Sequence, residues 1–221
     1  MREEVIGEGW LNAGHMTWRQ EGNQQGLLPQ LSQRVGLLRQ VVHLMPKERF
    51  KQLANGLFNS KLVYCLQVFG NVWGMRTYDE TSRRYTAFTK SDNQKLQVLQ
   101  NKVLRMLSGA NYDVSTVNLL RSTNALSVQQ LTAFTTLISA QKSLFYQKPV
   151  YFAKRLALNN ISSQENVVPH RGVNNIEVQA GLTVSRGGYF YRAGTLWNLL
   201  PDDMKIQMEP DVFKMKAKEW V

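Results

Sequence analysis

Three sets of residues in this chain have the types needed for chemistry, and their spacing decides what each can do. His15, His43 and His170 stand far apart, and neither one another nor Cys65 falls at metal-ligand spacing. His43, near the end of an amphipathic stretch, suits a favourable contact with a helix C-terminus. Cys65 is the single cysteine and sits in the most apolar stretch, as a core thiol does. It can form no intrachain disulfide, which points to a reducing compartment. Asp202-Asp203 is the one adjacent aspartate pair. Paired carboxylates can hold divalent metals for phosphoryl transfer. Here they follow Pro201, where helix capping is the simpler account. No phosphate loop, dinucleotide fingerprint or nucleophile elbow is present, and no catalytic constellation assembles. The expectations are no enzyme activity, no metal and no cofactor.

Charge points elsewhere. The 221 residues carry a net charge of +11. Such a surplus attracts polyanions over a Debye length of about 8–10 Å in physiological salt. No basic run concentrates it, so a basic protein with scattered lysines is the competing reading. At 43% hydrophobic the chain can build a core. No apolar run approaches the roughly 18 residues of a membrane span, and the first residues lack a signal peptide's apolar stretch. The expectation is an intracellular protein, nuclear or cytoplasmic, neither secreted nor bound to membrane.

The elements that must position any site read as helices. Residues 1–26 form a weakly structured lead-in, broken by glycines at 7, 9, 14, 22 and 26. Over 27–45, Leu28, Leu31, Val35, Leu38, Val42 and Met45 recur at helical steps. Pro46 then starts a second helix over 46–70, making a helical hairpin with the first. Phe50, Leu53, Leu57, Tyr64 and Val68 form its stripe. Leu62, Val63, Cys65, Leu66 and Phe69 make its second half apolar on nearly every side, as in a buried central helix. Residues 71–90 read as a polar connection. Ser91 or Asp92 caps a helix carrying Leu96, Leu99, Val103, Met106 and Leu107, which Gly109 closes. Residues 115–122 form a short helix closed by Asn124. Ser127 and Gln130 then make a capping box for a long one with Val128, Leu131, Phe134, Leu137, Ile138, Leu144 and Phe145.

After a linker at 159–175 the texture changes. Ile176, Val178, Leu182 and Val184 suggest one or two short strands, and residues 189–192 suit a strand or a helix entry. Trp197 anchors local packing, and Asp211 caps a final helix. The expected fold is mainly α. A helical bundle over 27–110 is followed by a helical extension over 111–158 and a smaller helical tail over 176–221.

Five segments, in order, resemble the region after the palm in reverse transcriptases of non-LTR (LINE-type, jockey- or CR1-like) retrotransposons. Thr17-Trp18 leads into QLSQRVGLLRQVVHLMP. A second helix, GLFNSKLVYCLQVFGNVWG, has Ser, Lys, Leu and Tyr near its centre and an aromatic-glycine end. Then come LQNKVLRMLSG, TNALSVQQLTAFTTLISAQK, and YRAGTLWNLLPDDMK with FKMKAKEW. Each motif alone is weak; five in one order, over about 17–220, are far more specific. The resemblance implies that 17–110 is a polymerase thumb with connecting helices and 111–221 the C-terminal tail. The family's metal-binding aspartates lie on a palm hairpin with a Tyr/Phe-Ala-Asp-Asp core, and no such motif occurs here. Magnesium would belong to that absent palm. No catalytic residue carries over, and the chain reads as a fragment or degenerate product of a longer polymerase.

A thumb grips template–primer duplex by its backbone. The implied partner is RNA or RNA–DNA hybrid, bound weakly and without sequence preference. Arg34, Arg39, Lys61, Lys102 and Arg105 lie on or beside the first three helix faces and are the candidate phosphate contacts. The plain alternative for each is a solvated or snorkelling side chain. Tyr64 and Trp73 are aromatics that can stack on bases, although spacing puts Tyr64 in the core. The competing function is a non-enzymatic helical interaction domain whose charge is incidental.

Overall fold

Helices α1 (Leu27–Val41), α2 (Lys47–Ala54) and α3 (Ser60–Phe69) open the structure, with α2 and α3 joined end to end through a wider π-helical turn at Asn55–Asn59. The computed structural model describes residues 27–70, 78–79, 84–85, 89–156, 175–176, 188–205 and 209–221. After α3, a two-residue antiparallel pair sets β1 (Tyr78–Asp79) against β2 (Arg84–Tyr85). Then follow α4 (Lys90–Ser108), α5 (Thr116–Thr123), α6 (Val128–Tyr146), α7 (Val150–Arg155), α8 (Tyr189–Leu199), α9 (Asp202–Lys205) and α10 (Pro210–Trp220). The architecture is a mainly α bundle, as the periodicity predicts. Among the described residues none of the strands expected over 176–184 is seen: Ile176 makes an isolated bridge, and 177–187 lie outside the described residues. The lead-in at 1–26, Trp73, His15, His170 and all but the last residue of the linker also lie outside them.

Two cores are built from these helices. The first joins Leu27, Leu31, Val35 and Leu38 of α1 to Phe50, Ala54, Phe58, Leu62, Cys65 and Leu66 of the central helix and to Leu96, Leu99 and Val103 of α4. The second gathers Leu137 and Ala140 of α6, Leu196 and Trp197 of α8, Met204 of α9 and Phe213 of α10. In it the Trp197 ring stacks on Phe213 with centroids 5.9 Å apart. Helix α6 serves both cores. Val128 and Leu131 join the first, and Ala133, Leu137 and Ala140 the second.

The central helix explains its own π turn. Phe50, Ala54, Phe58, Leu62 and Leu66 are all buried and four residues apart. An α-helix turns about 100° per residue, so each such step overshoots by about 40° and the full stripe would wind about 160° around the axis. One extra residue in a wider turn cuts that drift to about 60°. The turn therefore keeps this stripe on α1 and α4. It also corrects the expected register: Tyr64 is 56% exposed rather than core, whereas Cys65 and Leu66 are fully buried and Val63 half-buried.

Most predicted helix ends hold, with local changes. Gly109 closes α4 at φ 73° and Asn124 closes α5 at φ 48°, both left-handed. Ser127 and Gln130 form the expected capping box of α6. The cap of α4 is Thr89, not Ser91 or Asp92: Asp92 sits at the third helical position and its carboxylate accepts from the Thr89 N–H at 3.0 Å. Pro46 is the N-cap of α2 rather than its first residue, and α1 ends at Val41. Pro210 opens α10, with Asp211 in its first turn instead of capping it.

Gly70 marks the tightest crossing. A Cβ there would run into the Leu66 carbonyl oxygen and the Thr132 methyl of α6. Gly70→Ala should cost about 1–3 kcal/mol in urea unfolding, by overpacking. Gly36, on the exposed side of α1, has nothing within 4 Å of a new Cβ. Gly36→Ala should instead stabilise by about 0.5–1 kcal/mol in the same assay, because alanine loses less backbone freedom on folding.

Candidate nucleic-acid interface

The predicted phosphate-binding residues divide into two groups. Arg39 on α1 and Lys102 on α4 are exposed. Their stems leave helices whose opposite faces are packed, so both heads point to water on a rigid support. Arg34 and Arg105 spend hydrogen bonds on the protein itself. Arg34 reaches from α1 and donates through Nη1 to the Leu57 carbonyl, inside the π turn. Arg105, in the last turn of α4, donates Nη2 to the Val114 carbonyl at 3.0 Å and Nε to the Asn111 carbonyl at 3.3 Å. Its guanidinium also lies 5.7 Å from the Tyr112 ring centre. It thereby ties the loop after Gly109 back onto the helix. Lys61 is half-buried on α3.

Arg34 and Lys61 are brought together around Cys65. Burial pushes that thiol above its ordinary pKa, while the charges of Lys61 and Arg34 pull it down. Burial wins, which fits a packed core thiol rather than a nucleophile.

Cationic surface on the first bundle extends beyond the predicted set. Lys47, Arg49 and Lys51 on α2 and Lys90 and Lys95 on α4 are exposed. Helices α1 to α4 hold Glu48 and Asp92 as their acidic residues, and Asp92 is buried in its cap. The exposed side of the central helix presents Gly56, Ser60 and Tyr64 at four-residue steps.

Asp202 and Asp203 turn to lysines. Asp202 accepts from Lys205 Nζ at 3.3 Å and Asp203 lies 3.7 Å from Lys216 Nζ. They are the first two residues of α9 and so lie in its first turn rather than capping it. Lys205 is itself buried and also donates to Asn175 Oδ1 at 3.0 Å and to the Asn198 carbonyl at 3.2 Å. His43 is exposed just past α1. Among the described residues no group of histidine, cysteine and carboxylate is placed to hold a metal ion, and no helix is long and apolar enough to cross a membrane.

The residue that spacing did not single out is Arg192. Its side chain is fully buried on α8. Nε donates to Thr136 Oγ1 of α6 at 3.1 Å, Nη2 to the Gln67 carbonyl at 2.7 Å, and Nη1 to the Gly70 carbonyl. The guanidinium lies 5.9 Å from the Tyr189 ring centre. Its acceptors are the last carbonyls of α3, where the helix dipole is negative. Burial pulls its pKa down to about 10. The folded value thus lies below the unfolded one. Desolvation of this charge opposes folding through neutral pH, and the opposition fades only as pH rises above about 10. A sequence signal did exist: one cation in an otherwise aromatic and apolar run, YFYRAGTLWNLL.

The segments that carry the retroelement resemblance meet in this structure. Gly70 lies within the second segment and Arg192 within the fifth, 122 residues away, yet the two are in direct contact. In LQNKVLRMLSG, Gln100 donates to the Leu126 carbonyl at 2.9 Å and Asn101 to Thr116 Oγ1 at 2.9 Å. Gln97, just upstream, accepts from the Val128 N–H at 2.8 Å, which places it on the N-terminus of α6. Asn198 both donates to and accepts from the backbone of Ile176. Comparison with protein-family models, curated proteins and solved structures gave no match to the chain.

Arg192→Met would leave two backbone carbonyls and a buried hydroxyl without their donor. It should lower stability by about 3 kcal/mol or more in urea unfolding. Arg192→Lys should recover less than half of that, since an ammonium cannot span the three diverging acceptors as a planar fork does.

Proposed function

We propose that this chain is a nucleic-acid-binding thumb and C-terminal region of a retroelement RNA-directed DNA polymerase, one that grips template–primer duplex by its phosphates and performs no chemistry itself. The observation that carries the reading is the charge asymmetry of α1 to α4. Arg39, Lys47, Arg49, Lys51, Lys95 and Lys102 are exposed, against Glu48 as the exposed acid. Cations held on rigid helices suit an evenly charged duplex, whose backbone offers phosphates at regular intervals and no sequence. Arg39 and Lys102 are the candidate phosphate contacts. Lys61, half-buried on α3, adds a further positive charge. Arg34 and Arg105 support the surface by fixing the π turn and the loop after α4, while keeping their charge. Exposed Tyr64, flanked by Gly56 and Ser60, is suited to lie against a groove or a sugar edge. The ordered five-segment resemblance supports the same reading, and the absence of a palm aspartate pair from this sequence supports the lack of chemistry.

The test is anisotropy titration of the purified chain with a labelled RNA–DNA hybrid. Binding is expected at about micromolar Kd or weaker, falling steeply between low and high salt as counterions are released. Arg39→Ala and Lys102→Ala should each weaken binding about two- to fivefold and reduce the salt slope by about one. Retention that is the same at low and high salt overturns the reading. A discrete oligomer without polynucleotide affinity favours a helical protein-interaction domain instead, and primer extension with magnesium by this chain alone would refute the non-catalytic part.

A further inference from the structure

A second surface, formed by elements after α4, carries its own signature. From Val114 to Leu158 the chain holds Arg121, Lys142, Lys148, Lys154 and Arg155 and no aspartate or glutamate. The end of α6 and the start of α7 expose aromatic rings in this cationic stretch: Tyr146 is 56% exposed and Tyr151 59%. Both rings keep a large part of their surface open to solvent. The ring of Tyr151 is packed on its inner side by other aromatic rings. Tyr151 packs edge-to-face on Phe190 of α8 with centroids 5.7 Å apart, and Phe152 packs on Tyr189 and Phe190 at 5.3 and 5.0 Å. Arg155, exposed one turn further along α7, lies 5.5 Å from the Tyr151 ring centre and 5.2 Å from that of Phe190. The guanidinium and the ring therefore lie beside each other.

We propose that this α6–α7 ledge binds a single-stranded polynucleotide, with bases stacking on Tyr151 and Tyr146 and with Arg155, Lys154, Lys148 and Lys142 meeting the phosphates. Charge complementarity selects the occupant. An apolar helix would gain nothing from a stretch free of carboxylates, and an acidic peptide would gain nothing from upright tyrosine rings. A duplex keeps its base faces stacked internally, so a ring platform favours an unpaired strand, whose base faces are open to it. The inference extends the nucleic-acid reading to a second surface, and it rests on residues that the duplex reading does not use.

Titration of the full chain with labelled twelve-residue oligouridylate, in parallel with the RNA–DNA hybrid, tests it. Tyr151→Ala should weaken oligouridylate binding about tenfold, within the range for loss of one stacked base, and leave hybrid binding unchanged. Tyr151→Trp should retain oligouridylate binding, and Arg155→Gln should weaken it and flatten its salt dependence. Thermal unfolding of each variant separates loss of the ledge from loss of the fold. The proposal falls if Tyr151→Ala folds and binds oligouridylate like the parent chain. It falls equally if base-free heparin fragments lose as much affinity as oligouridylate in that variant, since the ring would then be supporting a charge patch alone. An uncharged or acidic partner protein competing at Tyr151, with no oligouridylate effect, would also overturn it. Loss of hybrid affinity in Arg39→Ala with intact oligouridylate binding would leave this ledge standing, so the two surfaces fail separately.

Discussion

A buried guanidinium links the second core of this structure to the first. Arg192 enters from α8, takes the last carbonyls of α3 and the Thr136 hydroxyl of α6, and thereby joins three helices that are far apart in sequence. The arrangement depends on Gly70. With no side chain there, the methyl of Thr132 closes on the backbone and the guanidinium reaches the carbonyl. Small side chains recur along the same seam: Thr132, Thr136 and Ala140 are fully buried on α6. Small residues let helix axes approach, and close approach makes a carbonyl of one helix reachable by a side chain of another. The charge is matched by helix-terminal dipoles rather than by a carboxylate, so its geometry, more than its Coulomb energy, sets how the second core sits on the first.

The same logic runs through the other polar contacts. Gln97, Gln100 and Asn101 emerge from one side of α4 and satisfy the backbone and side-chain groups that lead into α5 and α6. Asn198 and Lys205 do the same for the chain around residues 175–176. These are the residue types by which the segments resemble a retroelement thumb, and in this structure their work is to position helices. The segments therefore bear on how the helices pack. They do not by themselves mark the surface that meets a partner. The proposed nucleic-acid surfaces lie instead among the exposed cations of α1, α2 and α4 and on the ringed ledge of α7.

This division also explains why the basic residues sort as they do. An arginine with five donors can serve a backbone carbonyl and still project charge, as Arg34 and Arg105 do. A lysine on a surface helix, such as Lys102, is exposed and keeps its charge in the solvent. A phosphate backbone can use both kinds. The first kind comes already ordered, and the second adapts.

Read alone, the amino-acid order determined which segments are helical, several of their ends and most of their greasy faces. The capping box at Ser127, the left-handed turns at Gly109 and Asn124, and the stripes of α1 and α4 follow from local rules that act within a few residues. It also determined net charge and the absence of a recognisable catalytic set. Tertiary structure alone decided the register of the central helix, because a four-residue repeat suits two helical windings equally until α1 and α4 choose one; Tyr64 faced water as a result. It alone decided that Arg192 would be buried. A cation's burial depends on acceptors supplied by α3 and α6, more than fifty residues away in the chain, and no local spacing encodes whether they will arrive.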